Sequence, residues 1–166
     1  MRPVFGICLA FPYLVMAVQP SASLGFDGFP SDLKQSQESV QQQCNAAVQS
    51  AMTRFENIRN VRVANFETID LSERYRNYPP NSPVGVIFAL EGRAVDNVLN
   101  SPRLMTDISN QIITGCPPIG WVQIGLYQSN AYAIFGLING NVIAFRTCID
   151  GWYSEALLNW GEVYCY

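Results

Sequence analysis

The first clear periodicity in the chain lies between residues 32 and 58. Apolar side chains recur there every three or four residues, and Gln, Ser, Glu and Arg occupy the positions between them. This spacing places the apolar residues on one face of a helix. The pattern predicts an amphipathic helix that packs on a sheet, with Cys44 on its buried side. Its apolar positions are Val40, Cys44, Val48, Ala51, Phe55 and Ile58.

Two segments rich in β-branched and aromatic residues follow, at 61–69 and 84–90. Both are predicted to be strands, and the second is expected to be the more buried because it is the more apolar. Residues 70–83 connect them with the longest polar stretch in the chain. A loop of this length is either functional or mobile.

A second helical pattern covers residues 92–115 and is expected to form two pieces. Ser101 suits an N-cap and Pro102 suits the first position of a new helix. Gly115 is expected to end that helix.

Three strands are predicted next, at 121–127, 132–138 and 142–149. Ser129-Asn130 and Asn139-Gly140 mark the turns between them, and Asn-Gly is a strong hairpin signal. The element order is therefore α-β-β-α-β-β-β. This order predicts a disulfide-stapled α+β domain in which two main helices pack on a mostly antiparallel five-stranded sheet.

The strand pattern also assigns side chains to the two faces of the last three strands. One face takes Val122, Ile124, Leu126, Ala133, Phe135 and Leu137. The other face is apolar but interrupted by glycines, and it is expected to need a cover. The apolar tail, with Trp152, Leu157, Leu158 and Trp160, is the favoured cover; a partner, a second copy or a ligand are the alternatives. This second face takes Trp121, Gln123, Gly125, Tyr127, Tyr132, Ile134, Gly136 and Ile138.

The beginning of the chain resembles a signal peptide. Arg2 precedes an apolar stretch at 4–18 that is too short and too interrupted by proline for a good membrane span, and small residues follow Pro20. Residues 1–23 are therefore predicted to be a signal peptide cleaved after Ala22 or Ser23, and residues 24–166 a single domain. An uncleaved anchor is the alternative. The domain is expected in the periplasm or outside the cell, without stable membrane insertion.

Four cysteines follow the predicted cleavage site, which in an exported chain indicates two disulfides with three possible pairings. If the two long helices run antiparallel, Cys44 comes close to Cys116, which favours Cys44–Cys116 with Cys148–Cys165. Pairing of Cys116 with Cys148 is disfavoured because the predicted meander places them at opposite ends. Pairing of Cys44 with Cys165 remains an alternative.

Charge and composition limit the chemistry. The net charge is −3, which argues against nucleic acid or an anionic membrane as the main partner. The chain has no histidine, so Ser-His and Cys-His pairs and most catalytic zinc sites are excluded. No metal and no cofactor is expected. A carboxylate-dependent hydrolase stays open as an alternative, and its candidate residues are Glu67, Asp70, Glu73 and Glu91.

Two surfaces are candidates for binding, because Tyr, Trp and Arg combine contact area with hydrogen-bond donors. The sequence favours a non-enzymatic binding or interaction module whose partner is another protein or a second copy. A secreted inhibitor or effector is a further alternative. The candidate residues are Arg74, Tyr75, Arg76 and Tyr78 in the loop and Trp121, Tyr127 and Tyr132 on the second face.

The segments LMTDISNQIITGC at 104–116, WVQIGLYQSNAYAIFGLINGNVIAFRTC at 121–148 and WGEVYC at 160–165 resemble uncharacterised exported proteins of cyanobacteria. The resemblance covers the C-terminal two-thirds of the chain. It implies export and supports the cysteine positions. Because that family has no assigned activity, the resemblance implies no functional residues.

Overall fold

The computed structural model describes residues 31–150 and 156–164, with side chains from residue 37 onward. The predicted signal peptide at 1–23 lies outside the described residues. Among the described residues, no helix combines the length and the apolar composition that a membrane span requires.

The helices begin and end close to their predicted bounds. Helix α1 is Ser31–Glu56, and the second helical region forms α2 at Val95–Leu99 and α3 at Pro102–Gly115. Helices α1 and α3 pack antiparallel: their side chains meet near the C-terminal end of α1, where Gln111 contacts Ser50 and Arg54. A disulfide joins Cys44, in the middle of α1, to Cys116, which directly follows α3.

Five strands form the main sheet in the order β1-β2-β3-β4-β5. All neighbours are antiparallel except β2 and β3, because α2 and α3 carry the chain across before β3 begins. This confirms the predicted α+β class with a mostly antiparallel five-stranded sheet. The strands are Arg62–Asp70, Val84–Glu91, Ile119–Leu126, Tyr132–Ile138 and Asn141–Ala144.

The last predicted strand, at 142–149, is divided in two. Strand β5 ends at Ala144, and Thr147–Ile149 forms β6, which pairs in parallel with β7 at Glu162–Tyr164 in a separate two-stranded sheet. The division occurs at Phe145, whose backbone N–H donates to the carbonyl of Ile134 and whose ring is buried on the second face. Beyond Phe145 the chain leaves β4, and residues 147–149 pair with β7 instead.

The first core lies between the helices and the sheet. Phe88 is fully buried there, with the rings of Phe55 and Phe66 at centroid distances of 5.5 Å and 5.1 Å. The face assignment from strand alternation is confirmed, because all six residues predicted on this face belong to this core. The other buried members include Val86, Leu90, Ile108, Ile112, Val122, Ile124 and Phe135.

The predicted Cys44–Cys116 disulfide is confirmed, and it links the helical layer across 72 residues of sequence. Cys148 is also disulfide-bonded. Since Cys44 and Cys116 pair with each other, the partner of Cys148 lies outside the described residues. Strand β7 pairs beside Cys148 and ends one residue before Cys165, which supports the Cys148–Cys165 pairing as a prediction.

Candidate functional site

The second face of the sheet is covered by the 70–83 loop and by the tail. The loop contributes Leu71, in a short 3-10 helix at Leu71–Glu73, and Tyr75. A parallel bridge joins Tyr75 to Leu158 in the tail. The predicted tail cover is confirmed for Leu158 and Trp160, whereas Leu157 is 38% exposed and Trp152 lies outside the described residues. The fully formed second core consists of Leu71, Tyr75, Trp121, Ile134, Phe145 and Leu158.

Tyr75 and Trp121 are internal to this second core. The indole N–H of Trp121 donates to the Tyr75 hydroxyl at 3.2 Å, and that hydroxyl donates to the backbone carbonyl of Glu162 at 3.3 Å. Burial raises the pKa of Tyr75 to about 12, so the phenol stays neutral at physiological pH. These two predicted binding residues therefore fasten the loop and the tail to the sheet.

Glycines on this face make room for the large rings. The ring of Phe145 and the indole of Trp160 occupy the space that a side chain at Gly136 would need. The indole N–H of Trp160 then donates to the Leu137 carbonyl at 2.9 Å. A β-carbon at Gly85 would lie 2.7 Å from the Trp121 ring. Of the two glycines that the sequence places on this face, Gly136 is the one that makes room for the rings of Phe145 and Trp160.

A cleft of about 360 Å³ remains where the loop, strands β3 and β4 and the tail meet. The cleft brings Arg74 and Tyr75 of the predicted loop surface together with Tyr132 of the predicted sheet surface. The Arg74 guanidinium also lies over the Trp121 ring at 6.0 Å, a cation–π arrangement that orients it. The full lining is Glu73, Arg74, Tyr75, Gln123, Tyr132, Ile134, Ala156, Leu157, Leu158, Val163 and Tyr164.

The other predicted binding residues lie outside this lining. Arg76 is exposed and its backbone N–H donates to Leu158, which holds the tail in place. Tyr78 is half-buried against the second core. Tyr127 is 40% exposed just beyond the end of β3.

Three polar residues of the lining were not predicted as binding residues. Gln123 lies on the second face by strand alternation and was recognisable as a neighbour of Trp121. Glu73 had been considered only as a candidate catalytic acid. Tyr164 carries no local signal, because only the path of the tail brings it to the cleft; its hydroxyl donates to the carbonyl of Ala156 at 2.6 Å.

The carboxylates predicted for a hydrolase are dispersed. Glu73 is the one carboxylate among the described residues that line the cleft. Glu67 is exposed on β1, and Glu91, at the end of β2, forms an ion pair with Arg62. A hydrogen bond from the backbone N–H of Ser72 lowers the pKa of Asp70, so this carboxylate is an acceptor within its own turn. Glycoside hydrolysis requires two carboxyl groups on either side of one bond, and the described residues of the cleft lining include one carboxylate, Glu73.

The tail contributes one further charged group beside the second core. Hydrogen bonds from the Asn159 side chain and backbone lower the pKa of Glu162, and Arg76 acts in the same direction. This carboxylate closes the turn that leads into β7. Among the described residues, no group of three or more potential ligands could hold a metal ion.

Comparison with known proteins adds no family assignment. The chain has no significant match among family models, curated proteins or solved structures. Any function has to be inferred from the residues of the chain itself.

Proposed function

We propose that this chain is an exported, non-enzymatic binding module and that the cleft on the second face is its ligand site. The observation that carries the proposal is the meeting of the two predicted surfaces in one concave site. Ile134, Leu158 and Val163 give the cleft an apolar part, and polar side chains from the loop and β3 surround it. A concave site with a few converging polar groups is typical of ligand binding.

The charges in the lining limit the ligand. Glu73 and Arg74 are the charged residues of the described lining, and their charges cancel. Gln123 adds an uncharged hydrogen-bonding group. The cleft is therefore suited to a small, uncharged molecule with both an apolar surface and hydrogen-bonding groups.

Export is supported by the disulfides, because disulfides persist in oxidising compartments. The resemblance to exported cyanobacterial proteins points the same way. Expression of the full chain in a bacterial host, followed by intact-mass measurement of the periplasmic fraction, tests this part of the proposal. We expect a mature chain that begins at Ser23 or Leu24. Retention of residues 1–23 in the purified protein would contradict it.

The ligand site is tested by a fragment screen with nuclear magnetic resonance on the isotope-labelled mature chain. We expect uncharged fragments with polar groups to shift the backbone signals of residues 73–75, 123 and 132. Arg74→Ala should remove these shifts, because the guanidinium lies at the cleft. Arg103→Ala, an exposed change on α3, is the matched control and should leave them intact. Fragments that shift only signals elsewhere would exclude the cleft.

A further inference from the structure

The outer edge of β1 is a second surface with defined chemistry, separate from the cleft. Among the described residues, β1 pairs only with β2 in the main sheet. The backbone N–H of Leu71 donates to the carbonyl of Pro83, which continues the register in which Asp70 lies opposite Val84. Hydrogen bonding alternates along an antiparallel pair. The backbone N–H and C=O groups of residues 67, 69 and 71 therefore face β2, and those of residues 66, 68 and 70 face away from the sheet.

Part of this edge is already occupied by the chain itself. The outward N–H of Phe66 donates to the side-chain oxygen of Asn65 at 2.9 Å. The register of β1 also shifts between Val63 and Asn65, and such bulges interrupt pairing at sheet edges. Thr68 and Asp70 are the positions left for an added strand.

An apolar groove of about 300 Å³ lies on the helical side of this same edge. Phe66 and Thr68 form part of its lining from β1, and half-buried Val48 and Met52 face them from α1. In a sheet, residues opposite each other on neighbouring strands project to the same side. A side chain opposite Thr68 on an added strand would therefore project into the groove.

The charges around the groove define the partner further. Gln41, Asn45 and Gln49 lie four residues apart and form an uncharged polar stripe along one rim. Glu38 lines the continuation of the groove toward the start of α1, and no Lys or Arg belongs to either described lining. Glu67 is exposed on the edge strand and, because it alternates with Phe66 and Thr68, it projects to the opposite side of the sheet from the groove. This distribution favours a basic partner over an acidic one.

We propose that β1 and this groove dock an extended segment of a partner polypeptide. The segment adds a strand along residues 68–70, inserts an apolar side chain beside Val48 and Met52, and carries a Lys or Arg next to it. Backbone hydrogen bonds provide the pairing and the groove selects the side chain, as in other cases of strand addition. A small groove of this volume admits one or two side chains.

The test is selection of peptides from a displayed library of random nonapeptides on the disulfide-intact mature chain. We expect the selected peptides to have alternating apolar residues and at least one Lys or Arg. Thr68→Pro should weaken their binding by about tenfold or more, because proline removes an outward donor and its ring obstructs the added strand. The bonds to β2 should remain, which circular dichroism and thermal unfolding check.

A second pair of variants keeps the test decisive if Thr68→Pro does not fold. Gln49→Lys places a positive charge on the rim of the groove, and Gln42→Lys places the same charge on an exposed position of α1 outside the lining. Gln49→Lys should weaken binding of the selected peptides several-fold more than Gln42→Lys.

Several outcomes would overturn the proposal. These are failure of the library to yield any binder, selection of acidic or purely polar peptides, and equal binding to the Gln49→Lys and Gln42→Lys variants. Peptides that lose binding on Arg74→Ala would be assigned to the cleft instead. A second copy of the chain is the alternative occupant of the β1 edge, and analytical ultracentrifugation of the chain alone detects it. A dimer that Thr68→Pro dissociates would show that β1 pairs with a second copy instead of a partner polypeptide.

Discussion

The two faces of the main sheet are covered in different ways. The first face lies under three helices and is packed mainly by aliphatic residues and phenylalanines. The second lies under a loop and a tail, and its largest members, Tyr75 and Trp121, are hydrogen-bonded to each other. Helices satisfy their own backbone groups, whereas irregular segments depend on side chains and bridges to hold them. The difference accounts for the polar groups in the cleft on the second face.

The largest expected effect concerns the helical face. Phe88→Ala should reduce the free energy of unfolding by about 3–5 kcal/mol, because it removes a fully buried ring between Phe55 and Phe66. Urea unfolding followed by circular dichroism measures this loss. Ile143→Ala, an exposed change on β5, should stay within about 0.5 kcal/mol. A loss below about 1 kcal/mol for Phe88→Ala would contradict the assignment of this core.

Removal of the Cys44–Cys116 disulfide tests whether the helices on the first face and the tail on the second face are stabilised independently of each other. Replacement of both cysteines by Ala should cost about 2–5 kcal/mol, since the bridge closes a span of 72 residues in the unfolded chain. Amide hydrogen exchange should accelerate most in α1. Amides of the tail at 158–164 should change only with the global stability. Preferential loss of protection in the tail would show that the two layers are coupled.

The smallest of these effects concerns the second face. Tyr75→Phe should cost about 1–3 kcal/mol, because the indole N–H of the fully buried Trp121 loses its acceptor. Exchange of the amides at 158–164, rather than of the helices, should respond most. Tyr127→Phe, at an exposed position, serves as the control and should have no measurable effect.

The raised pKa of Tyr75 predicts that the free energy of unfolding depends on pH in the alkaline range. The phenol titrates at its ordinary pKa of 10.0 in the unfolded chain and at about 12 in the folded protein. The unfolded state therefore releases its proton first, and the stabilisation by neutral Tyr75 is complete below pH 10 and is lost between pH 10 and about 12. The decline of unfolding free energy over this interval should be shallower in Tyr75→Phe. Equal slopes in the two proteins would contradict the burial of this hydroxyl.

Local patterns predicted the elements and the faces well. Periodicity located α1, and alternation assigned the members of both faces of β3 and β4 correctly, because each side chain's direction follows from its own backbone. The break at Phe145 was missed for a physical reason. Residues 142–149 have one continuous strand pattern, and the pairing of Thr147–Ile149 with β7 depends on the path of the tail, which that pattern does not contain.

The candidate site was predicted in pieces. Arg74, Tyr75 and Tyr132 were recognised as residues of two separate surfaces, and the structure places them in one cleft. Tyr75 was expected to be available for contact, yet it is 2% exposed because the tail pairs against it. Burial of a loop residue depends on contacts with residues more than 80 positions away, which no local pattern records.

The sequence by itself determined the element order and the two sides of the sheet, and it favoured the Cys44–Cys116 disulfide. Each follows from rules that act within one element or between two packed helices. Only the tertiary structure decided what covers the second face, which aromatic residues became core and where the cleft remained. These features depend on the path of the loop and the tail across the glycine-notched face, where packing of distant side chains outweighs local preference.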